Sequence, residues 1–281
     1  MSDHSTGAAW FRDIDSGDLG AARETIEQGS AEEPADWPAL AVDAGFADDK
    51  DDYYSLLHDA TVHATREAVR ERERADDQQL KYSIRAMDDA DRTANELAER
   101  VAEWAGALFD EAGTGVDGAR AVAGRTPETA AEERVVSLAT RVVDLADEAA
   151  DCRAFVERTA PAVAPNLSRM AGPVLAARLI ALAGGLGELA KKPSGTVQVL
   201  GAEDALFAHL AGRAPSPKHG VIFTHDYVRN TRPEDRGSAA RALAGKLVIA
   251  ARIDHYAGDL RPEVHEELDE RMATIRARAE S

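Results

Sequence analysis

Between residues 128 and 159 the apolar side chains keep one register: Val135, Leu138, Val142, Leu145, Ala149, Cys152 and Val156 alternate steps of three and four. A repeat of that kind, held over three heptads, suits an α-helix that buries one seam against another helix, as in a coiled coil. An earlier stretch offers the partner. Leu80, Ile84, Met87, Ala94, Ala98, Val101, Ala105 and Leu108 follow the same spacing, broken once by Asp91. The chain turns helical at about Ser55, through the mixed-charge run REAVRERERADDQQ, and a long helix then runs to about Asp110. A Gly-rich loop joins the two arms, which predicts an antiparallel hairpin of about 50 Å per arm at ~1.5 Å rise per residue. Such a hairpin has more apolar surface than its own pairing needs. Leu138, Val142 and Leu145 lie on that seam, and the surplus suits pairing of two copies of the chain.

The loop contains a false lead. Gly113-Thr-Gly115-Val-Asp-Gly118 matches GxGxxG, but that motif binds dinucleotides only between a strand and a helix of a βαβ unit. A heptad helix precedes it here, so it reads as a plain loop and no cofactor is expected. Cys152 is the only cysteine and stands at a heptad core position, which makes it a packed thiol rather than a nucleophile or a zinc ligand. The eight histidines form neither HExxH nor a helical-turn pair beside a carboxylate, so no metal is expected.

Few aromatic residues and abundant Ala, Leu, Arg and Glu point to a mainly α fold. Residues 1–58 are the exception. Gly17, Gly20, Gly29, Pro34, Pro38 and Gly45 cut them into short elements, which reads as a small α+β or irregular domain. It holds Trp10, Phe11, Trp37, Phe46, Tyr53 and Tyr54, six of the 14 aromatic side chains. They serve either as its own core or, in part, as a surface for a partner. Residues 59–160 make the hairpin. Residues 161–281 follow, opened by Pro161 and Pro165, as an all-α or nearly all-α domain. Leu167 to Leu189 reads as one or two buried helices, with further helices from Gly201 to Leu210, from Pro233 to Ile253, and in the closing HEELDERMATIRARAES. The apolar run Val174 to Leu186 is interrupted by Arg178 and glycines, and the first residues lack a basic-then-apolar leader, so a cytoplasmic protein with no membrane partner is expected.

A net charge of -18 argues at first against a nucleic-acid partner. Its distribution reverses that. Residues 1–160 hold 37 acidic side chains against 17 basic ones, whereas residues 161–252 hold 12 basic against 6 acidic. Only 6 of the 33 basic residues are lysine, and Lys191, Lys192, Lys218 and Lys246 all lie in that basic stretch. High acidity with few lysines suggests a halophilic protein of a high-salt cytoplasm, where a carboxylate-rich surface stays hydrated. An ordinary acidic protein with an arginine bias is the alternative.

The same stretch carries ordered motifs: Ala164-Pro165-Asn166-Leu167, Ala177-Arg178-Leu179-Ile180, Thr196 to Glu203 (TVQVLGAE), Ala205-Leu206-Phe207, Pro217-Lys218-His219-Gly220 and Ala250-Ala251-Arg252-Ile253-Asp254. Together they resemble the Nop-domain family, most closely the archaeal scaffold proteins of box C/D RNA-guided methylation complexes, relatives of eukaryotic nucleolar and splicing factors. The likeness covers about residues 76–254. It implies a non-catalytic scaffold without a cofactor, whose partners are a box C/D guide RNA, a kink-turn-binding ribosomal-type protein, the methyltransferase fibrillarin and a second copy of itself. A splicing-type assembly factor, or a coiled-coil interaction protein without RNA, is the alternative.

Carried onto this sequence, the resemblance implies RNA contact by Lys191, Lys218, Arg236, Arg241 and Lys246, and contact with the kink-turn protein by Glu203, Leu206 and Phe207. The family often has a basic residue where Asp204 and Ala208 stand here. That helix should therefore lean on the protein partner rather than on RNA. Residues 1–58, the expected fibrillarin-docking domain, are much shorter than usual in the family. Arg178 and Arg252, set among alanines and aliphatics, read as salt-bridged or capping.

Overall fold

The structure, a computed structural model, describes residues 9–29 and 35–277. Every regular element among them is helical and no strand occurs. None of these helices is long and apolar enough to cross a membrane. The turn expected at Pro34 and the last four residues of the closing helix lie outside the described residues. The chain divides into two compact units, residues 1–75 and 76–281.

In the first unit, helices α1 (Leu19–Gln28), α2 (Trp37–Asp43) and α3 (Lys50–Arg74) each begin at an aspartate. Asp18, Asp36 and Asp49 accept the backbone N–H of the residue three positions on, which satisfies one of the unpaired donors of a helix start. These three caps correct the α+β expectation. The Gly and Pro punctuation marks the ends of short helices, and no period-2 alternation supports a strand. Trp10, Phe11, Phe46 and Tyr53 pack ring on ring at 5.2–6.2 Å, and the Trp10 indole N–H donates to the Tyr53 hydroxyl at 3.2 Å. Most of the aromatic set is thus the unit's own core, with Trp37 packed at its edge. Tyr54 stays exposed.

Helix α3 ends at Ala75, whose backbone is extended, and α4 (Asp76–Leu108) starts at the next residue. The charged helical stretch expected from about Ser55 is thus a helix of its own, followed by the long helix that forms the first arm. Helix α4 buries Leu80, Ile84, Met87, Ala94, Ala98, Val101 and Ala105 as the spacing predicts, and Ala90 takes the seam position that Asp91 breaks. It runs against α6 (Ala130–Val163) as the hairpin. The loop between them holds α5 (Gly115–Ala123), which packs on both arms. The GxGxxG residues start this helix: a Cβ on Gly118 would lie 2.2 Å from the Gly113 carbonyl carbon. Glycine there serves a close backbone crossing rather than a phosphate.

After α6, which runs through Pro161, come α7 (Pro165–Ala171), α8 (Pro173–Ala183), α9 (Leu186–Lys191), α10 (Ser194–Val199) and α11 (Glu203–Leu210). A 3-10 turn (Val221–Thr224), α12 (Asp226–Arg229), α13 (Arg236–Tyr256) and α14 (Glu263–Ala277) complete the unit. The stretch expected as one or two helices is three. Gly172 and Gly184, both at positive φ, separate α7 from α8 and end α8. One apolar core joins Leu80, Ile84 and Met87 of α4 and Val156 and Ala160 of α6 to α7–α10, α13 and α14. Packing therefore continues across residue 160, and polar ties reinforce it. Arg178 forms a two-pronged ion pair with Asp88, Arg85 donates to the Ala181 carbonyl at 3.2 Å, and the Leu186 N–H donates to Asp77 at 2.9 Å.

Candidate nucleic-acid interface

Helix α13 is the central strut of this unit, and a buried carboxylate fixes it. Asp254, only 8% exposed, accepts the backbone N–H groups of Asn166 and Leu167 at 3.0 and 2.8 Å and the Asn166 side-chain amide at 2.6 Å. It thus caps the start of α7 from across the fold, where no local residue does so. Asn166 completes the tie through the Asp259 carbonyl at 2.8 Å and the Arg261 N–H at 2.7 Å. Arg252 donates to the Ala190 carbonyl at 2.9 Å. Arg178 and Arg252 are thus structural, as expected.

The turn holding Lys218 lies at the other end of α13. Its backbone docks on the end of α10: Gly220 N–H donates to the Gln198 carbonyl at 2.9 Å, Val221 N–H to Leu200 at 2.8 Å, and the Gln198 side chain holds the Lys218 carbonyl at 2.8 Å. A Cβ on Gly220 would sit 2.0 Å from the Leu200 oxygen, so glycine is required for this approach. The Lys218 methylenes then cross Gly237 in the first turn of α13, leaving the ammonium exposed. His219 stacks on Phe223 at 4.6 Å, and the Arg236 guanidinium covers Phe223 at 5.4 Å while donating to the Thr231 carbonyl at 3.0 Å. Burial, then the neighbouring Arg236, pushes the His219 pKa below its ordinary value. Arg236 is thus partly committed to its own fold, whereas Lys218 has no carboxylate partner among the described residues.

Arg241 follows Gly237 by four residues on the same face of α13 and is exposed, without an ion pair among the described residues. Lys246 differs. Its side chain is 22% exposed and pairs with Glu267 of α14, in a groove of about 620 Å³ that Arg241 also lines. Lys191 lies apart from all of these. It ends α9 beside the C-terminal turn of α13, roughly 24 Å along that helix from Arg236, and pairs with Glu188 at 2.9 Å. The five basic residues therefore form no single patch. Lys218, Arg236 and Arg241 come together, Lys246 is neutralised beside them, and Lys191 is remote.

Helix α11 starts where that turn docks, since Gly201 lies against Val221. No α11 residue is buried. Glu203 accepts the Gly201 N–H at 2.8 Å and so braces its own helix start. Leu206 is half-buried, but Phe207 is 63% exposed and Leu210, which the motif reading passed over, is 72% exposed. Asp204 is exposed in the first turn, where it favours the helix dipole and repels phosphate.

In the hairpin Val142 is completely buried between α4 and α6, so it is unavailable to a second chain, a correction to its expected role. Leu138 and Leu145 are half-buried on the flank. Burial pushes the Cys152 thiol above its ordinary pKa, as a packed thiol requires. No group of histidine, cysteine or carboxylate side chains that could hold a metal occurs among the described residues.

Compared with known families, residues 113–274 match the Nop family, described as snoRNA binding domain, fibrillarin. A NOP5 family protein of Methanocaldococcus jannaschii is 31% identical over 269 residues, which is 83% of this chain and 65% of that protein. Nucleolar protein 58 of Candida glabrata is 33% identical over 240 residues, 70% of this chain and 47% of its own length. The human Nucleolar protein 58 is 36% identical over 148 residues, 51% of this chain and 28% of its own. The chain thus spans under two thirds of these relatives. A crystal structure of a fibrillarin/Nop5p complex matches with a TM-score of 0.53 at 24% identity, covering 91% of this chain and 92% of that one, and so shares the fold.

Proposed function

The chain belongs to the Nop family, and on that premise we propose that it is a non-catalytic scaffold of a box C/D RNA-guided 2′-O-methylation complex. In this reading it joins a kink-turn RNA and the protein bound to it to the methyltransferase fibrillarin. The observation that carries the proposal is an adjacency. Lys218, without an ion pair among the described residues, stands in the turn that leads into Val221, with Arg241 following on the same face of α13; Val221 touches Gly201 just before α11, whose Phe207 and Leu210 face solvent. A basic stripe suits phosphates and an exposed apolar helix suits a protein, so the pair fits a composite RNA–protein surface. Asp204 beside them works against RNA alone, which makes tight binding depend on the protein partner being in place first. The first unit, with Tyr54 exposed, is the proposed fibrillarin dock, and Leu138 and Leu145 are the proposed contacts of a homodimer.

Reconstitution with a kink-turn RNA, its binding protein and fibrillarin, scored for mass and for 2′-O-methylation, tests this. The Lys218→Ala, Arg241→Ala, Lys246→Ala triple variant should keep its helical melt, because the one ion pair it removes is partly exposed and contributes ~0–1 kcal/mol. Assembly should fall at least about tenfold, since the phosphate contacts of Lys218 and Arg241 are lost. Unchanged assembly in that variant rules out this surface.

A further inference from the structure

We propose that the far end of α13 carries a second nucleic-acid contact, a stacking site for single-stranded RNA built on Tyr256 and flanked by Lys191, Lys192, Arg252 and His255. The inference deepens the scaffold reading and rests on it for the identity of the partner. Tyr256 is the last residue of α13 and is 70% exposed, more than any other aromatic side chain among the described residues. An aromatic ring that open to water contributes nothing to a core. Its position is fixed all the same, because His255 packs against it edge to face at 4.5 Å and itself lies over Gly187 of α9, where a Cβ would meet the imidazole at 3.0 Å.

The surroundings are cationic. Lys191 ends α9 and Lys192 caps it, and Arg252 reaches across one turn earlier on α13 to the Ala190 carbonyl. Two of the six lysines of a lysine-poor chain thus stand next to its most exposed aromatic ring. Glu188 offsets Lys191, while Lys192 and Arg252 have no carboxylate partner among the described residues. An exposed ring with cations beside it is the arrangement that holds an unpaired base while neutralising its phosphates. Duplex RNA would present no open base face to the ring, which selects single strands. Because Tyr256 lies roughly 30 Å from Arg236 along α13, the site takes a different segment of RNA from the one at Lys218 and Arg241.

The test uses the full chain and a labelled single-stranded oligouridine, followed by fluorescence anisotropy at several KCl concentrations at which circular dichroism reports native helicity. Tyr256→Ala should weaken binding roughly tenfold at every salt concentration, because stacking does not depend on counterions. Tyr256→Phe should bind as the parent does. The Lys191→Ala, Lys192→Ala pair should weaken binding at the lowest KCl and lose its effect as KCl rises. The Lys218→Ala, Arg241→Ala, Lys246→Ala variant should lose less oligomer binding than Tyr256→Ala while failing in assembly on the kink-turn complex, so the two readings stand or fall separately. The site is refuted if the parent does not bind oligouridine, if Tyr256→Ala binds as the parent does, or if the Lys218 variant loses as much. Competition by oligoglutamate as strong as by unlabelled oligouridine overturns it in favour of an acidic protein.

Discussion

Asn166 and Asp254 show what a single residue can hide in a sequence. Both stand inside motifs that identify the family, yet nothing in their spacing says that they touch, since the contact closes a loop of 88 residues. Asp254 gathers three donors at a buried position, so Asp254→Ala leaves them unsatisfied and should cost about 3 kcal/mol. Urea unfolding that shifts by less than a third of that would show the tie to be unimportant. His225 makes a comparable case on α12's leading edge. Its Nδ1 accepts the Tyr227 N–H at 3.1 Å while Nε2 faces the Met170 carbonyl at 3.0 Å, an arrangement that fits the neutral ring. Burial lowers its pKa, the Met170 carbonyl and Asp226 oppose that, and His265 adds to it. A histidine with a lowered folded-state pKa favours the folded form above its unfolded pKa of about 6.5. That contribution is lost as pH falls through the folded value. Stability should therefore decline from pH 7 toward pH 5 more steeply in the parent than in His225→Gln, compared by urea titration at each pH. Equal slopes would remove His225 as the cause.

At the scale of elements, the hairpin was legible and its exact seam was not. Periodicity places Val135, Val142, Ala149 and Val156 inside correctly, because residues seven apart share a helix face. It places Leu138 and Leu145 there too, but the structure buries Ala139 in that row and packs Ala146 at the cluster's edge, one position beyond each leucine. Small alanines let α4 and α6 approach closely, so the larger leucines are displaced to the flank. Helix α5 adds cover that no repeat could reveal, since nine residues from Gly115 to Ala123 are too few for a periodic signal. Leu138 and Leu145 thus keep partial exposure and remain the candidates for pairing two chains. Replacing both with Glu should lower the sedimentation mass from dimer to monomer while the melt changes little. Val142→Ala should do the opposite, costing about 2 kcal/mol of stability by emptying a filled seam with no change in mass at concentrations where the chain stays folded. A dimer that survives the Leu138→Glu, Leu145→Glu double substitution places the contact elsewhere.

For the whole molecule, composition located the opposed charges but not the way the core joins hairpin to terminal helices. Charge is additive along a sequence, whereas the shared core depends on Leu80 meeting partners a hundred residues away. The charge asymmetry also decides how salt should act. The ion pairs are mostly local and exposed, such as Arg92 with Asp89 and Arg141 with Asp144, each contributing a few tenths of a kcal/mol that salt weakens. Against them stands an excess of 18 negative charges, 51 acidic residues against 33 basic, whose mutual repulsion the folded chain concentrates. Raising KCl from 0.1 to 1 M shortens the screening length from ~10 to ~3 Å and reduces both effects. Repulsion has more pairs and acts over longer distances, so its relief dominates. The melting temperature should rise by about 5 °C over that range, corresponding to roughly 2 kcal/mol for a protein of this size. A melt that is flat or falls with added KCl would show that local ion pairs outweigh the net charge, and the high-salt origin suggested by the scarce lysines would fall with it.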